Sequence, residues 1–164
     1  MPKPLGQVNA GRFTADIEGD FVVFLIGMRI NKPWLVRQWW PVFVGMPTML
    51  RELEQQPDSP LLGFRLVLAS PISPIVIQYW RSFDELEAYA ADPGQSHKPA
   101  LTDFFKKVGY NGNVGIWHET YTVRAGEYEA IYANMPIGGL AAAGEHRGLG
   151  SSSKARDRLG AHSA

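Results

Sequence analysis

The chain has 164 residues, 45% hydrophobic and 12% aromatic, with 16 basic side chains against 16 acidic ones. That is enough apolar material for one packed domain, and zero net charge argues against nucleic acid as a main partner, because phosphate binding needs a concentrated basic field. Cysteine is absent, which excludes disulfides, thiolate metal sites and cysteine nucleophiles. No apolar run is long enough to span a bilayer. The opening Met1-Pro2-Lys3-Pro4-Leu5-Gly6 lacks the apolar centre of a signal peptide. A cytoplasmic protein without a membrane partner is therefore expected.

Residues 1–19 read as an arm, with Gly11 to Asp16 as a short edge strand. Phe21 to Ile30 is the strongest strand; its unbroken apolar run implies burial on both faces. A helical segment opens after Asn31-Lys32-Pro33-Trp34 and places Trp39, Phe43, Met46, Leu50 and Leu53 on one face. Pro41 and Pro47 predict a kink or a break in it, and Pro57-Asp58-Ser59-Pro60 ends it as a turn. Leu61 to Ala69 and Ile75 to Trp80 form an antiparallel hairpin around Ser70-Pro71-Ile72-Ser73-Pro74. Ser82 and Glu85 have capping-box spacing and start a helix from Phe83 to about Ala91. A further helix follows from Lys98 or Pro99 to Gly109. Val114 to Val123 is the next strand and Tyr128 to Asn134 a last short one. From Gly138 the sequence turns glycine-, alanine- and serine-rich, so residues 139–164 are expected to be a flexible tail beyond a domain at 20–138. The order strand, helix, strand, strand, helix, strand is the split βαβ pattern of an α+β, ferredoxin-like sheet with helices on one face. Its other face needs cover, most simply from a second subunit packed sheet against sheet as a homodimer.

The domain holds two histidines, His97 and His118. Imidazole titrates near neutrality, so either suits a proton donor or acceptor, or an axial haem ligand. The bland readings are a surface residue near a helix start for His97 and a buried, hydrogen-bonded side chain for His118. Alternation puts Ile116, His118 and Thr120 on one face of their strand and Trp117, Glu119 and Tyr121 on the other. Arg29 and Asn31 share a face of the first strong strand and suit an oxyanion-stabilising or substrate-orienting pair, against a plain strand-end ion pair. Trp34, Trp39 and Trp40 crowd the first helix; such clusters usually build core, but also suit a pocket for a flat apolar ligand. The spacing offers no metal site. A glycine-rich phosphate loop and the Gly-x-Ser-x-Gly elbow are both missing. No motif binds flavin or nicotinamide, so no cofactor is expected, with haem as the open alternative.

The runs Gly11-Arg12-Phe13-Thr14, Gly27-Met28-Arg29-Ile30-Asn31-Lys32-Pro33-Trp34, Tyr79-Trp80-Arg81-Ser82 and Gly115-Ile116-Trp117-His118-Glu119-Thr120-Tyr121, with this strand order, resemble the antibiotic-biosynthesis monooxygenase superfamily of dimeric α+β barrels. Within it they look like the subfamily related to the fumagillin-pathway enzyme of fungi. The resemblance covers roughly residues 10–138. It implies a homodimer with one pocket per subunit, between sheet and helices. It also implies a monooxygenase-like activity on a small apolar, aromatic or polyene, metabolite, without flavin or metal. Haem-degrading enzymes, haem-containing aldoxime dehydratases and small dimeric proteins of unclear activity belong to the same superfamily, so a haem protein and a non-catalytic binding module are the rival expectations. By position, Asn31 matches a polar orienting residue, Trp80 an aromatic wall, and His97 lies near the family histidine. The expected catalytic set is His118, His97, Arg29 and Asn31. The expected pocket lining is Trp34, Trp39, Phe43, Tyr79, Trp80, Trp117 and Tyr121, around a small hydrophobic substrate.

Overall fold

The structure, a computed structural model, describes residues 6–92, 111–150 and 154–159. Seven strands and four helical pieces are seen among them. The heart is a four-stranded sheet built from β2 (Phe21–Ile30), β3 (Leu61–Ser70), β4 (Ser73–Trp80) and β5 (Val114–Val123), in the order β3-β4-β2-β5 with every pair antiparallel. With helices α1 (Val36–Glu54) and α2 (Phe83–Ala91) in their places along the chain, this is the ferredoxin-like α+β fold. The expected helix over 98–109 and His97 lie outside the described residues.

Strand parity decides what each residue meets. The even-numbered side chains Val22, Val76 and Trp80 join Leu50 and Leu53 of α1 and Leu86 of α2 in one core cluster. Met28, Ile30 and Val114 form a second, capped by Trp39, Val42 and Phe43. Sequence reasoning predicts a kink or a break in α1 at its prolines; the break is absent, since Val36–Glu54 is one helical element with Pro41 and Pro47 inside it. Each interior proline costs about 3 kcal/mol. Leu50 and Leu53 are nearly fully buried and contribute about 1.5–3 kcal/mol each, with Trp39 and Phe43 packed alongside. Burial of the stripe is therefore of the same order as the cost of the two prolines and offsets it. The start of α2 follows the sequence closely. Ser82 Oγ accepts from Glu85 N–H at 3.2 Å and donates to Glu85 Oε2 at 3.0 Å, while Arg81 pairs with Glu85 Oε1 at 3.1 Å.

The ends of the chain differ most from expectation. Strand β1 (Val8–Asp16) begins three residues before the expected Gly11 and is the centre of a second sheet, flanked by β6 (Tyr132–Pro136) and β7 (Glu145–Gly148). Residues expected to be a tail from 139 instead supply the short helix α3 (Leu140–Ala143) and β7. Ala141 is 1% exposed beside Phe13 and Ala15, and Leu140 and Ala143 pack on Phe21, Ile17 and Tyr128. Further on, α4 (Ala155–Arg158) docks through the buried Arg158, whose Nε donates to Glu129 Oε2 at 2.8 Å. Small side chains allow this segment to lie close to the sheet, so its packing comes from proximity rather than from large apolar groups.

Candidate functional site

His118 lies on the helix-facing side of β5, as its alternation with Ile116 and Thr120 requires. It stands opposite Ile26, and Phe24 stands opposite Thr120. The His118 ring is 5.5 Å from the Phe24 ring, tilted by 35°. The expectation of a buried, satisfied histidine does not hold: His118 is exposed. Neighbouring Ile116 packs with Met28 under Trp39 and Phe43. The Trp39 indole donates to Pro33 carbonyl at 3.0 Å, which fixes that ring at the start of α1. An imidazole thus sits at the edge of an aromatic, apolar surface between sheet and α1.

The same face carries a polar residue that the sequence does not single out. Gln78 stands on β4 opposite Phe24, inside the apolar run Ser73–Trp80, and is 4% exposed. Its Oε1 accepts from the Trp80 indole N–H at 2.9 Å, and Trp80 is fully buried. The Trp80 ring also packs on Tyr89 of α2, with centroids 5.3 Å apart. The signal available in sequence was an even-numbered glutamine between Val76 and Trp80, on the parity that faces the helices.

The remaining expected residues are divided between the two faces. Trp80, Trp39 and Phe43 are on the helix side with His118. Arg29 pairs with Gly115 across β2 and β5, so it projects from the opposite face; its Nη1 donates to Ser73 Oγ at 3.2 Å. Asn31 Nδ2 donates to Gly112 carbonyl at 3.0 Å, holding the end of β2 to the turn before β5. The structure does not bring Arg29 and Asn31 together with His118. Trp117 is also on the opposite face, laid over Gly27, where a Cβ would come within 2.6 Å of the indole. Trp34 is 72% exposed, ahead of α1.

Tyr121 and Tyr79 share that opposite face. The Tyr121 hydroxyl donates to Glu119 Oε2 at 2.7 Å, which pushes its ionisation above the ordinary phenol value. Burial pushes Tyr79 up, reinforced by the nearby Tyr132 and opposed by Arg65 and the Leu140 N–H. Both phenols are thus held in the protonated form, as donors rather than bases.

An open groove of ≈ 250 Å³ lies elsewhere, between the end of α1 and α2, lined by Leu53, Gln56, Pro60, Glu85, Ala88, Tyr89 and Asp92. It contains no imidazole, and its Glu85 carboxylate is already engaged by Arg81 and Ser82, so the chemistry points to the His118 face. Among the described residues no group of three His, Asp or Glu side chains is placed to hold a metal ion, and no helix is long and apolar enough to cross a membrane.

Comparison with known proteins gives the fold a context. No curated protein matches the sequence. An aldoxime dehydratase crystallised with butyraldoxime (OxdRE) superposes with a TM-score of 0.61 at 15% identity, over 96% of this chain and 43% of that one. A second aldoxime dehydratase gives 0.51 at 13% identity, over 98% and 46%. This chain therefore spans less than half the length of either. SnoaB, a cofactor-independent oxygenase from Streptomyces nogalater, gives 0.44 at 19% identity, over 64% and 94%. Residues 21–140, which hold the four-stranded sheet, α1 and His118, match the family model described as monooxygenase af470-like, and the chain belongs to that family.

Proposed function

We propose that the protein is a monooxygenase-like enzyme that oxidises a small apolar, aromatic or polyene, metabolite without flavin or metal, in the space between the sheet and α1. The observation that carries this is His118: an accessible imidazole against Phe24, on the face where Ile116, Trp39 and Phe43 gather. An imidazole there can take a proton from an activated methylene of a ring bound on the aromatic surface. The carbanion so formed can reduce dioxygen. Overall, CH2 plus O2 gives C=O plus H2O, with the electrons supplied by the substrate and one oxygen atom leaving as water. The aromatic walls would keep bulk water from the reacting carbon. Arg29 and Asn31 point away from this face, so neither stabilises the developing oxyanion; that role falls to donors on the same face, such as the Thr120 hydroxyl.

Haem is the rival reading: among the described residues beside His118, Phe24, Ile26, Ile116 and Thr120 offer it an apolar surface but no cation to meet the propionates. We also expect a homodimer. Leu25, Ile75, Ile77 and Val67 on the opposite face are only half-buried, and a second copy packed there would complete their burial.

The test is oxygen consumption with an anthrone, a flat tricycle carrying an activated methylene. The wild type should consume one O2 per quinone formed, and His118→Ala should lose about a hundredfold or more, the usual contribution of a general base. Unchanged turnover in His118→Ala would remove the mechanism. A Soret band in the purified protein that disappears in the same variant would select haem binding instead. Ligand binding without oxygen uptake would leave a binding module.

A further inference from the structure

We infer that Gln78 is the residue that selects the ligand, by donating from its amide nitrogen to an acceptor oxygen of the bound molecule; this rests on the pocket reading given above. The Trp80 indole can only donate, so the atom 2.9 Å from it is the Gln78 carbonyl oxygen, and the NH2 end must point away. No hydrogen bond holds that NH2 among the described residues. Gln78 is nevertheless 4% exposed, between Phe64 and Phe24 on neighbouring strands. Gln78 Nε2 is not among the fully buried, unpartnered side-chain atoms, which for the described residues are Ser70 Oγ and Asn113 Oδ1, so the NH2 end can be reached by an acceptor. A ligand oxygen arriving there meets a donor whose direction Trp80 has already set.

Position supports the same assignment. Gln78 stands opposite Phe24, and His118 stands opposite Ile26, two residues along the same strand. Two strand spacings of about 4.8 Å and two residue rises of about 3.4 Å separate their backbones by about 12 Å. A fused two- or three-ring ligand spans that distance across Phe24, with its acceptor oxygen at Gln78 and its acidic C–H towards His118. The ligand class is then an apolar polycycle bearing a carbonyl or phenolate oxygen, in preference to a plain hydrocarbon. Fixing the carbonyl end by Trp80 pre-organises the donor, so the discrimination costs little reordering on binding.

The experiment compares α-tetralone, an apolar bicycle with one carbonyl, with tetralin, the same bicycle without it, by titration calorimetry. The wild type should bind the ketone more tightly. Gln78→Met, close in volume and without a donor, should weaken the ketone about three- to tenfold and leave tetralin unchanged. In the wild type, the side-chain NH2 signals of Gln78 in a 15N correlation spectrum should shift with the ketone and not with tetralin. This second readout decides the matter if the variant does not fold. Equal effects on both ligands, or an unmoved Gln78 NH2 signal, would overturn the assignment while leaving the pocket intact. Failure of the wild type to bind either bicycle would instead refute the pocket reading, and this inference with it.

Discussion

Gly144→Ala tests whether the C-terminal segment is part of the fold. A Cβ at residue 144 would overlap the Asp16 carbonyl oxygen and come within 2.6 Å of Ile17 Cγ1. The first contact is with backbone, so no rotamer change relieves it. Asp16 is paired with Glu145 at the end of the β1–β7 ladder, and Ile17 is buried, its N–H donating to the Tyr128 hydroxyl at 2.6 Å. Relief therefore means parting β1 from β7 at that end. Overpacking of this kind costs about 1–3 kcal/mol, and losing one ladder hydrogen bond adds about 1 kcal/mol, for a total of about 2–4 kcal/mol. That is a large share of the roughly 5–15 kcal/mol that holds a typical domain together. Gly148 is the control, since a Cβ there meets nothing within 4 Å. Urea denaturation followed by tryptophan fluorescence should show the loss in Gly144→Ala and a change below about 0.5 kcal/mol in Gly148→Ala. Two indistinguishable variants would mean that residues 140–148 do not pack on β1 in solution, and the second sheet as described would be wrong.

Tyr128 makes stability fall at high pH. Its hydroxyl donates to Ile17 carbonyl at 3.2 Å, and burial, with the Asp16 carboxylate nearby, raises its folded-state value above the ordinary 10.0. Below pH 10 both folded and unfolded forms keep the proton and the contribution is complete. Above it the unfolded chain ionises first, so stability drops as pH rises towards the folded-state value. Tyr128→Phe should flatten the drop in urea midpoint between about pH 9 and 11, and an unchanged slope would contradict the assignment. Removing the α2 cap with Ser82→Ala should cost about 1 kcal/mol in the same assay; a neutral result would show that the Arg81–Glu85 pair suffices. Ile77→Lys places a charge in the middle of the half-buried opposite face, and analytical ultracentrifugation should show a dimeric wild type and a monomeric variant. A wild type that is monomeric at micromolar concentration would dispose of the homodimer.

The elements legible in the sequence were those with strong local signals. Phe21–Ile30 reads as a central strand because almost every side chain is apolar, and the structure places it between β4 and β5. Ser82 with Glu85 marks the start of α2 because cap chemistry is settled within one turn. The continuity of α1 was not legible: the proline cost is local, whereas the compensating burial of Leu50 and Leu53 against Val22 and Val76 comes from strands distant in sequence. The segment 139–150 was missed for a related reason. Its glycines and alanines carry little apolar area, so a reading by hydrophobicity assigns them no core. Their contribution is close approach, visible where Ala141 is buried beside Phe13 and where a Cβ on Gly63 would press on Ala143.

The candidate site depended on register more than on residue type. Alternation alone groups Ile116, His118 and Thr120, and separately groups Arg29 with Asn31. It cannot say whether the two groups share a face, because that needs the offset between β2 and β5. The pairing of Arg29 with Gly115 and of Ile26 with His118 supplies the offset and puts the cation and the imidazole on opposite sides. The same arithmetic brings Gln78 into the site through Phe24, which faces Gln78 on one neighbour and Thr120 on the other. Each face then carries its own kind of polar group. The helix side combines an exposed imidazole with a neutral, oriented amide on an aromatic surface. The other side carries Arg29, Glu119 and phenols held protonated, around half-buried aliphatic side chains. The proton transfer proposed above would use the first arrangement, and the proposed second copy would pack on the second. A single-residue slip of β5 against β2 would carry His118 to the face of Arg29 and away from Gln78, so the register of this one pair decides which polar groups share a face.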